Sequence, residues 1–289
     1  MHVSEINIYP IKSLKGISLD SAIVEPRGLR YDRRWMLTTP AGMFFTQREF
    51  PRMALIGTEV TSDGLRVTGK SAGSMVFPFE PGTGMKQLVT VWQSVCEGEV
   101  YPKAVNDWFA DFLGTPCQLV HMPDDTQRAV NPRFDRGGEI VSFADGYPMM
   151  VLSEASLADL NKRLSENSNG TFTGPLPMNR FRPNLVVSGA TAYGEDEWKN
   201  VRIGETIFRS TKPCERCVMT TVDQTLGEFT GKEPLKTFAS YRMAKDLIPD
   251  RYESLGVGAN AVLFGQNLVP ETFGRTVKLG DEVERLQAI

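Results

Sequence analysis

Along the first hundred residues apolar and polar positions alternate in short runs broken by turn residues, the pattern of strands that bury one face. Residues 6–11, 35–39, 43–47, 65–68 and 88–92 read as strands. Pro40-Ala41-Gly42 and Ser62-Asp63-Gly64 read as their connections, because Gly and Asp tolerate the backbone angles of tight turns. Over 103–114 the period changes: Ala104, Val105, Trp108, Phe109, Phe112 and Leu113 share one helical face, and Gly114 with Pro116 supplies the stop. A second helix is expected over 153–164, where Leu157, Leu160 and Leu164 repeat behind Ser153 as N-cap. Strands return at 184–188, 201–203, 206–210, 261–264 and 283–286. The polar, Arg-rich stretch 123–138 and the Ser/Asn/Gly/Pro-rich stretch 165–177 read as surface loops that rim a pocket. No repeat of solenoid or propeller period is present.

The fold class expected is therefore mostly β with a few helices. At 289 residues the chain has the length of two packed domains, and the best boundary lies just after the first helix, near residues 115–121. Hydrophobic residues at 41% and charged residues at 23% place it among ordinary globular proteins. With 32 basic and 35 acidic side chains and a net charge of -3, nothing in the balance points to nucleic acid or to an anionic membrane. Any anion must be bound by locally placed Arg and Lys. The start Met1-His2-Val3-Ser4-Glu5 lacks a signal peptide's apolar stretch and no later run reaches membrane-spanning length, so a cytoplasmic protein is expected.

Of the four cysteines, Cys96, Cys117, Cys214 and Cys217, only the last pair forms a motif, within Thr211-Lys212-Pro213-Cys214-Glu215-Arg216-Cys217-Val218-Met219-Thr220-Thr221-Val222-Asp223. A zinc site would need two more ligands, and only His2, His121, Cys96 and Cys117 remain, with no second Cys-x-x-Cys. A thioredoxin-like dithiol belongs at the start of a helix in a βαβ unit, whereas this pair follows a strand and leads into 218–222, which reads as another strand. What remains is one reactive cysteine beside Arg216, whose charge would stabilise a thiolate fit to bind a soft or high-valent metal, against a pair of buried, inert thiols. A second constellation is basic. Lys12-Ser13 after the first strand, Arg33 in Asp32-Arg33-Arg34-Trp35, and Arg182 with Asn184 in Phe181-Arg182-Pro183-Asn184 offer the donors that a phosphate and a polar heterocycle require. Surface salt bridges and turn contacts are the competing reading of each.

Together these segments resemble the MOSC-domain proteins of the amidoxime reducing component group and their bacterial relatives. The resemblance runs in order through Ile8-Tyr9-Pro10-Ile11-Lys12-Ser13-Leu14-Lys15-Gly16, Asp32-Arg33-Arg34-Trp35, Ser142-Phe143-Ala144-Asp145-Gly146-Tyr147-Pro148, and Leu152-Ser153-Glu154-Ala155-Ser156-Leu157. It continues through Phe181-Arg182-Pro183-Asn184-Leu185-Val186-Val187-Ser188-Gly189, the 214–223 segment, Lys232-Glu233-Pro234-Leu235-Lys236-Thr237, Phe264-Gly265-Gln266-Asn267, and Val277-Lys278-Leu279-Gly280-Asp281-Glu282-Val283. It implies a β-barrel-type MOSC domain over 119–289 and a β-rich N-terminal MOSC-associated domain over 1–118, with 1–33 completing the MOSC fold.

The resemblance also implies a molybdenum-molybdopterin cofactor whose pterin dithiolene gives the metal two sulfurs while Cys217 gives the third. Lys12, Ser13, Arg33, Arg182, Asn184 and Arg216 match positions that hold the pterin and its phosphate. The expected reaction is removal of oxygen from N-hydroxylated bases, amidoximes or similar small molecules, with Asp223 as a proton relay or, on the simpler reading, a turn cap. Bacterial relatives often continue into a ferredoxin domain, whereas this chain stops at Ile289, so a separate electron donor of flavin, iron-sulfur or haem type is expected. Eukaryotic members are fixed to a membrane by an N-terminal segment, and no such membrane or organelle address is expected here. Two rivals use the same cysteine: a sulfur carrier or cofactor-sulfurating module with a persulfide on Cys217, and a cofactor carrier without turnover.

Overall fold

The computed structural model describes residues 1–167 and 174–286. Its largest sheet has eight strands in the spatial order Ile17–Leu19, His2–Ile8, Leu185–Ser188, Met149–Ser153, Val262–Pro270, Thr206–Arg216, Asn200–Ile203 and Val283–Leu286. Neighbours run antiparallel except Met149–Ser153 against Leu185–Ser188. A parallel pair cannot be closed by a tight turn, and the crossover here contains the helix Glu154–Asn167. Ser153 caps that helix as expected, its Oγ accepting the Ser156 N–H at 3.1 Å. Leu160 and Leu164 then bury against Leu152, Phe181, Phe238 and Phe264.

A four-stranded antiparallel sheet, ordered Trp35–Thr38, Gln118–His121, Ser94–Val100, Lys86–Val91, and a three-stranded one, Gly57–Val60, Leu65–Gly69, Gly73–Phe77, make up the other half. Between them lies the core of Trp35, Leu37, Leu65, Val67, Tyr101 and Phe109. The helix Lys103–Leu113 lays Val105, Trp108, Phe109 and Phe112 on it and ends on Gly114 in the left-handed conformation, as its spacing and terminal glycine foretell. A Cβ on Gly69 would come 2.6 Å from the Phe112 ring, so only glycine allows that helix to pack so closely. The fold is mostly β with a few helices, and among the described residues no helix is long and apolar enough to cross a membrane.

Several expectations change. Of residues 218–222 only Val222 enters a strand, Val222–Asp223: Val218–Thr221 is a 3-10 turn, because the Thr220 and Thr221 hydroxyls donate to the carbonyls of Cys217 and Val218 and draw the chain into a coil. Residues 43–47 form only bridges, Thr38 with Phe44 and Met43 with Thr90, since Thr46 Oγ1 accepts the Arg48 N–H and bends the chain away. The second helix runs on to Asn167, into the expected loop 165–177, of which 168–173 lie outside the described residues. The strand expected over 206–210 continues to Arg216, and that over 261–264 to Pro270. The stretch 123–138 carries no strand, yet it is not all surface: Arg128 is buried and donates to the Ser142 and Ala144 carbonyls at 2.6 Å each.

Candidate functional site

Strand ends of the large sheet converge with loops of the other half on a cavity of about 150 Å³. Lys12 and Ser13 arrive directly after the strand His2–Ile8, which pairs with Leu185–Ser188, so the turn at 181–184 lies beside them. Asn184 fastens the junction. Its Oδ1 accepts Arg33 Nη1 and the Met150 N–H at 3.1 Å each, and its Nδ2 donates to the Asn7 carbonyl. Buried Asp32 takes the Tyr9 N–H at 2.7 Å and Arg33 Nη1 at 2.6 Å. Ser13, Arg33 and Arg182, all lining the cavity, have φ of 68°, 51° and 57°. Left-handed backbone at a non-glycine residue costs on the order of 1 kcal/mol and persists only where the surroundings enforce it.

The lining is cationic: Lys12, Arg33, Arg48, Arg180, Arg182 and Arg216 share the wall with the carboxylates of Asp145 and Glu215, while Asp32 and Asp223 pair with Arg33 and Arg180 from behind it. Arg33 spends its head on protein partners, whereas buried Arg182 stacks 4.1 Å over the Tyr9 ring and leaves Nη2 with no partner among the described residues. Burial lowers Arg182 to about 10, and Arg33 nearby adds to the effect against the pull of Tyr9 and Asp32. Burial likewise takes Lys12 down to about 8, although its Nζ donates to Asp145 and, at 2.8 Å, to the Phe143 carbonyl. Lys12 and Arg48 beside the Asp145 carboxyl hold it well below the usual carboxylate range. Buried cations with an unfilled donor are costly unless an anion completes them, so the cavity is built for a negatively charged ligand.

Both motif cysteines line this cavity and are half-buried, unlike Cys96 and Cys117, which sit inside hydrophobic cores. Strand alternation alone would separate Cys214, Glu215, Arg216 and Cys217 between two faces. Irregularities around Pro213, which has no N–H for the ladder, break the pairing of Thr206–Arg216 with Val262–Pro270 and re-aim the side chains. The motif cysteine that Arg216 stands beside is Cys214: its Nη1 reaches Cys214 Sγ and Met150 Sδ at 3.0 Å each, and its Nη2 the Phe181 carbonyl. The guanidinium on Cys217 belongs to Arg48, whose Nη2 stands 3.1 Å from the sulfur.

The cavity thus gathers Lys12, Ser13, Arg33, Arg182, Asn184, Arg216 and Cys217. Asp223 is not on its wall. The Asp223 carboxylate caps the turn through the Thr225 and Leu226 N–H groups at 2.8 and 3.0 Å and accepts Arg180 Nη2 at 2.9 Å, touching the cavity only through that arginine. Sequence reasoning missed Arg48, Asp145 and Arg180. Asp145 lay within the quoted 142–148 segment and Arg180 two residues before Arg182, but no local pattern marked Arg48.

Fold and site define a two-part MOSC protein: the MOSC N-terminal beta barrel domain matches residues 1–116 and the MOSC domain residues 138–284. The chain belongs to the family of the mitochondrial amidoxime-reducing components. It is 34% identical to mitochondrial amidoxime-reducing component 1 of Homo sapiens, over 97% of this chain and 82% of that one. Mitochondrial amidoxime reducing component 2 of Homo sapiens is 30% identical over 98% and 83%. The molybdenum cofactor sulfurase of Oryza sativa is also 34% identical over 92% of this chain, which spans only 34% of that longer protein.

Proposed function

We propose that this chain is a molybdenum-cofactor-dependent reductase that removes oxygen from N-hydroxylated bases, amidoximes and similar N-oxygenated small molecules. The observation that carries the reading is the meeting of a half-buried thiol, Cys217, with an excess of buried cations in one cavity. Those residues suit a pterin with a phosphate and a metal. Arg182 keeps a donor unfilled, Lys12 and Arg33 add charge, and Cys217 offers a soft ligand. When bound, the cofactor supplies the two electrons that, with two protons, convert an N–OH group to N–H and water.

The protein's share is holding and shielding. Cys217 would hold the metal, while Arg182, Lys12, Ser13 and Arg33 would hold the phosphate and pterin. Asn184, its amide already spent on Arg33, Met150 and Asn7, keeps those groups in register. Arg216 ties Cys214 and the Phe181 carbonyl into the same wall. Asp223 acts through Arg180, as a positioning group for the floor of the cavity. The electrons come from a separate donor protein of flavin, iron-sulfur or haem type. Among the described residues no group of three or more His, Cys, Asp or Glu side chains could hold a metal ion of a second redox centre.

The test is elemental analysis and pterin fluorescence on purified protein, followed by reduction of benzamidoxime by chemically reduced protein. Near-stoichiometric molybdenum with turnover is expected, both lost in Cys217→Ala. A persulfide without molybdenum would instead make the chain a sulfur carrier, the alternative that the likeness to the sulfurase raises. Bound cofactor without turnover would make it a cofactor carrier.

A further inference from the structure

The Arg48 guanidinium is held from three sides. Its Nη2 donates to Cys217 Sγ at 3.1 Å and stands 3.5 Å from Asp145 Oδ2, and its plane lies 4.5 Å over the Trp92 ring. Arg48 Nη1 is buried with no partner among the described residues. The loop that carries it is fixed as firmly. Thr46 accepts the Arg48 N–H through Oγ1 at 3.1 Å and the Phe50 N–H through its carbonyl at 2.9 Å. Fully buried Gln47 donates to the Ser13 carbonyl at 2.7 Å and exchanges amide hydrogen bonds with Gln224 at 3.0 and 3.3 Å. One residue of the N-terminal half is thereby pinned against the sulfur supplied by the other half, with its neighbour tied both to the Lys12-Ser13 turn and to the segment beyond Asp223.

We propose that Arg48 is the positioning residue of the metal-binding sulfur, fixing the direction of Cys217 Sγ and withdrawing electron density from it by a charge-assisted hydrogen bond. The inference rests on the reading of Cys217 as the metal ligand. A hydrogen bond on a ligating sulfur weakens its donation and raises the reduction potential of the metal, one of the ways a protein tunes a centre without touching it. Arginine suits the task because Nη2 points at Cys217 and Asp145 while the guanidinium face rests on Trp92, a stacking that a lysine ammonium cannot reproduce.

The experiment uses the full chain loaded with molybdenum cofactor and reads the sulfur-to-metal absorption band, the midpoint potential and the steady-state constants. In Arg48→Gln the band moves to longer wavelength, the potential falls, and kcat drops about tenfold with KM nearly unchanged. Arg48→Lys gives a smaller shift of the same sign, and Trp92→Leu, which only loosens the guanidinium, the smallest. These two variants carry the test if Arg48→Gln does not fold. An unmoved band and potential in every variant that folds overturns the inference while leaving the reductase intact, whatever happens to kcat. A wild-type chain that takes up no molybdenum removes the proposed function, and this inference with it.

Discussion

Two of the places where arginines are buried, the cleft around His121 and the site cavity, differ in whether the ends of the guanidinium groups are left free. Around His121 a cleft of about 540 Å³, larger than the site cavity, is lined by Arg27, Arg30 and Arg34 with Glu25, Glu80 and Asp124. There Arg34 Nη2 donates at 2.6 Å to both the Met122 carbonyl and Asp124 Oδ1, and Arg27 Nη2 donates to the Asp124 and Thr126 carbonyls. Only the inner Nε atoms lack partners. In the smaller cavity guanidinium ends, Arg182 Nη2 and Arg48 Nη1, are unfilled as well as the inner Arg180 Nε and Arg216 Nε and the Tyr147 hydroxyl; cations outnumber carboxylates, and three lining residues hold left-handed backbone against Tyr31 alone in the cleft. Size does not mark a site. Unfilled donors and maintained strain do, because folding alone gives no reason to keep them.

The largest effect that would sharpen the contrast is acid sensitivity at His121. Burial, with Arg34 and Arg27 adding to it against Asp124, lowers this histidine from 6.5 to about 4. Between those values the unfolded chain binds a proton that the native one refuses, so stability present above pH 6.5 is lost as pH falls toward 4. The loss amounts to about 3 kcal/mol at pH 4. His121→Phe should remove most of that acid-limb slope in urea unfolding at pH 7 and pH 4, keeping the contact with Trp35 that the His121 ring now makes at 5.3 Å. An unchanged slope would mean that the histidine is solvated.

The two arginine sets should also answer truncation in opposite ways. Arg34→Met strands the buried Met122 carbonyl and should cost about 2 kcal/mol, read from the urea midpoint of cofactor-free protein. Arg182→Met removes a desolvated cation with an unfilled donor, so cofactor-free stability should hold or rise by about 1 kcal/mol while cofactor content falls at least tenfold. Equal destabilisation by both would erase the distinction.

Much of this was legible in the sequence because the informative residues sit at strand ends, where period and turn signals fix position. Lys12-Ser13 after an apolar strand and Arg182-Pro183-Asn184 before another were placed correctly relative to the sheet, and both helices were found from their spacing and caps. Arg48 was not legible. It lies in Thr46-Gln47-Arg48-Glu49, a polar run without periodicity, and reaches Cys217 only through packing across 169 residues of chain. Val218 to Val222 misled for a related reason: β-branched residues favour strands, but two threonine hydroxyls bonded backward to carbonyls and won locally. Which motif cysteine Arg216 serves could not be read from adjacency, because the irregular pairing around Pro213 decides that its guanidinium turns toward Cys214.

The smallest effect is expected at Ser13, where strain and ligand binding separate within one residue. Its carbonyl is fixed by Gln47, its φ is 68°, and among the described residues no hydrogen bond engages its hydroxyl, although the residue lines the cavity. Ser13→Gly relieves about 1 kcal/mol of left-handed strain but returns roughly 0.5–1 kcal/mol of conformational freedom to the unfolded chain, so the two nearly cancel. The urea midpoint of cofactor-free protein should therefore move by no more than a few tenths of a kcal/mol, while cofactor content falls measurably with the lost hydroxyl. A clear loss of stability would mean that the serine side chain serves the fold, and Ser13 would then belong with Arg27 and Arg34 among residues satisfied by the protein itself.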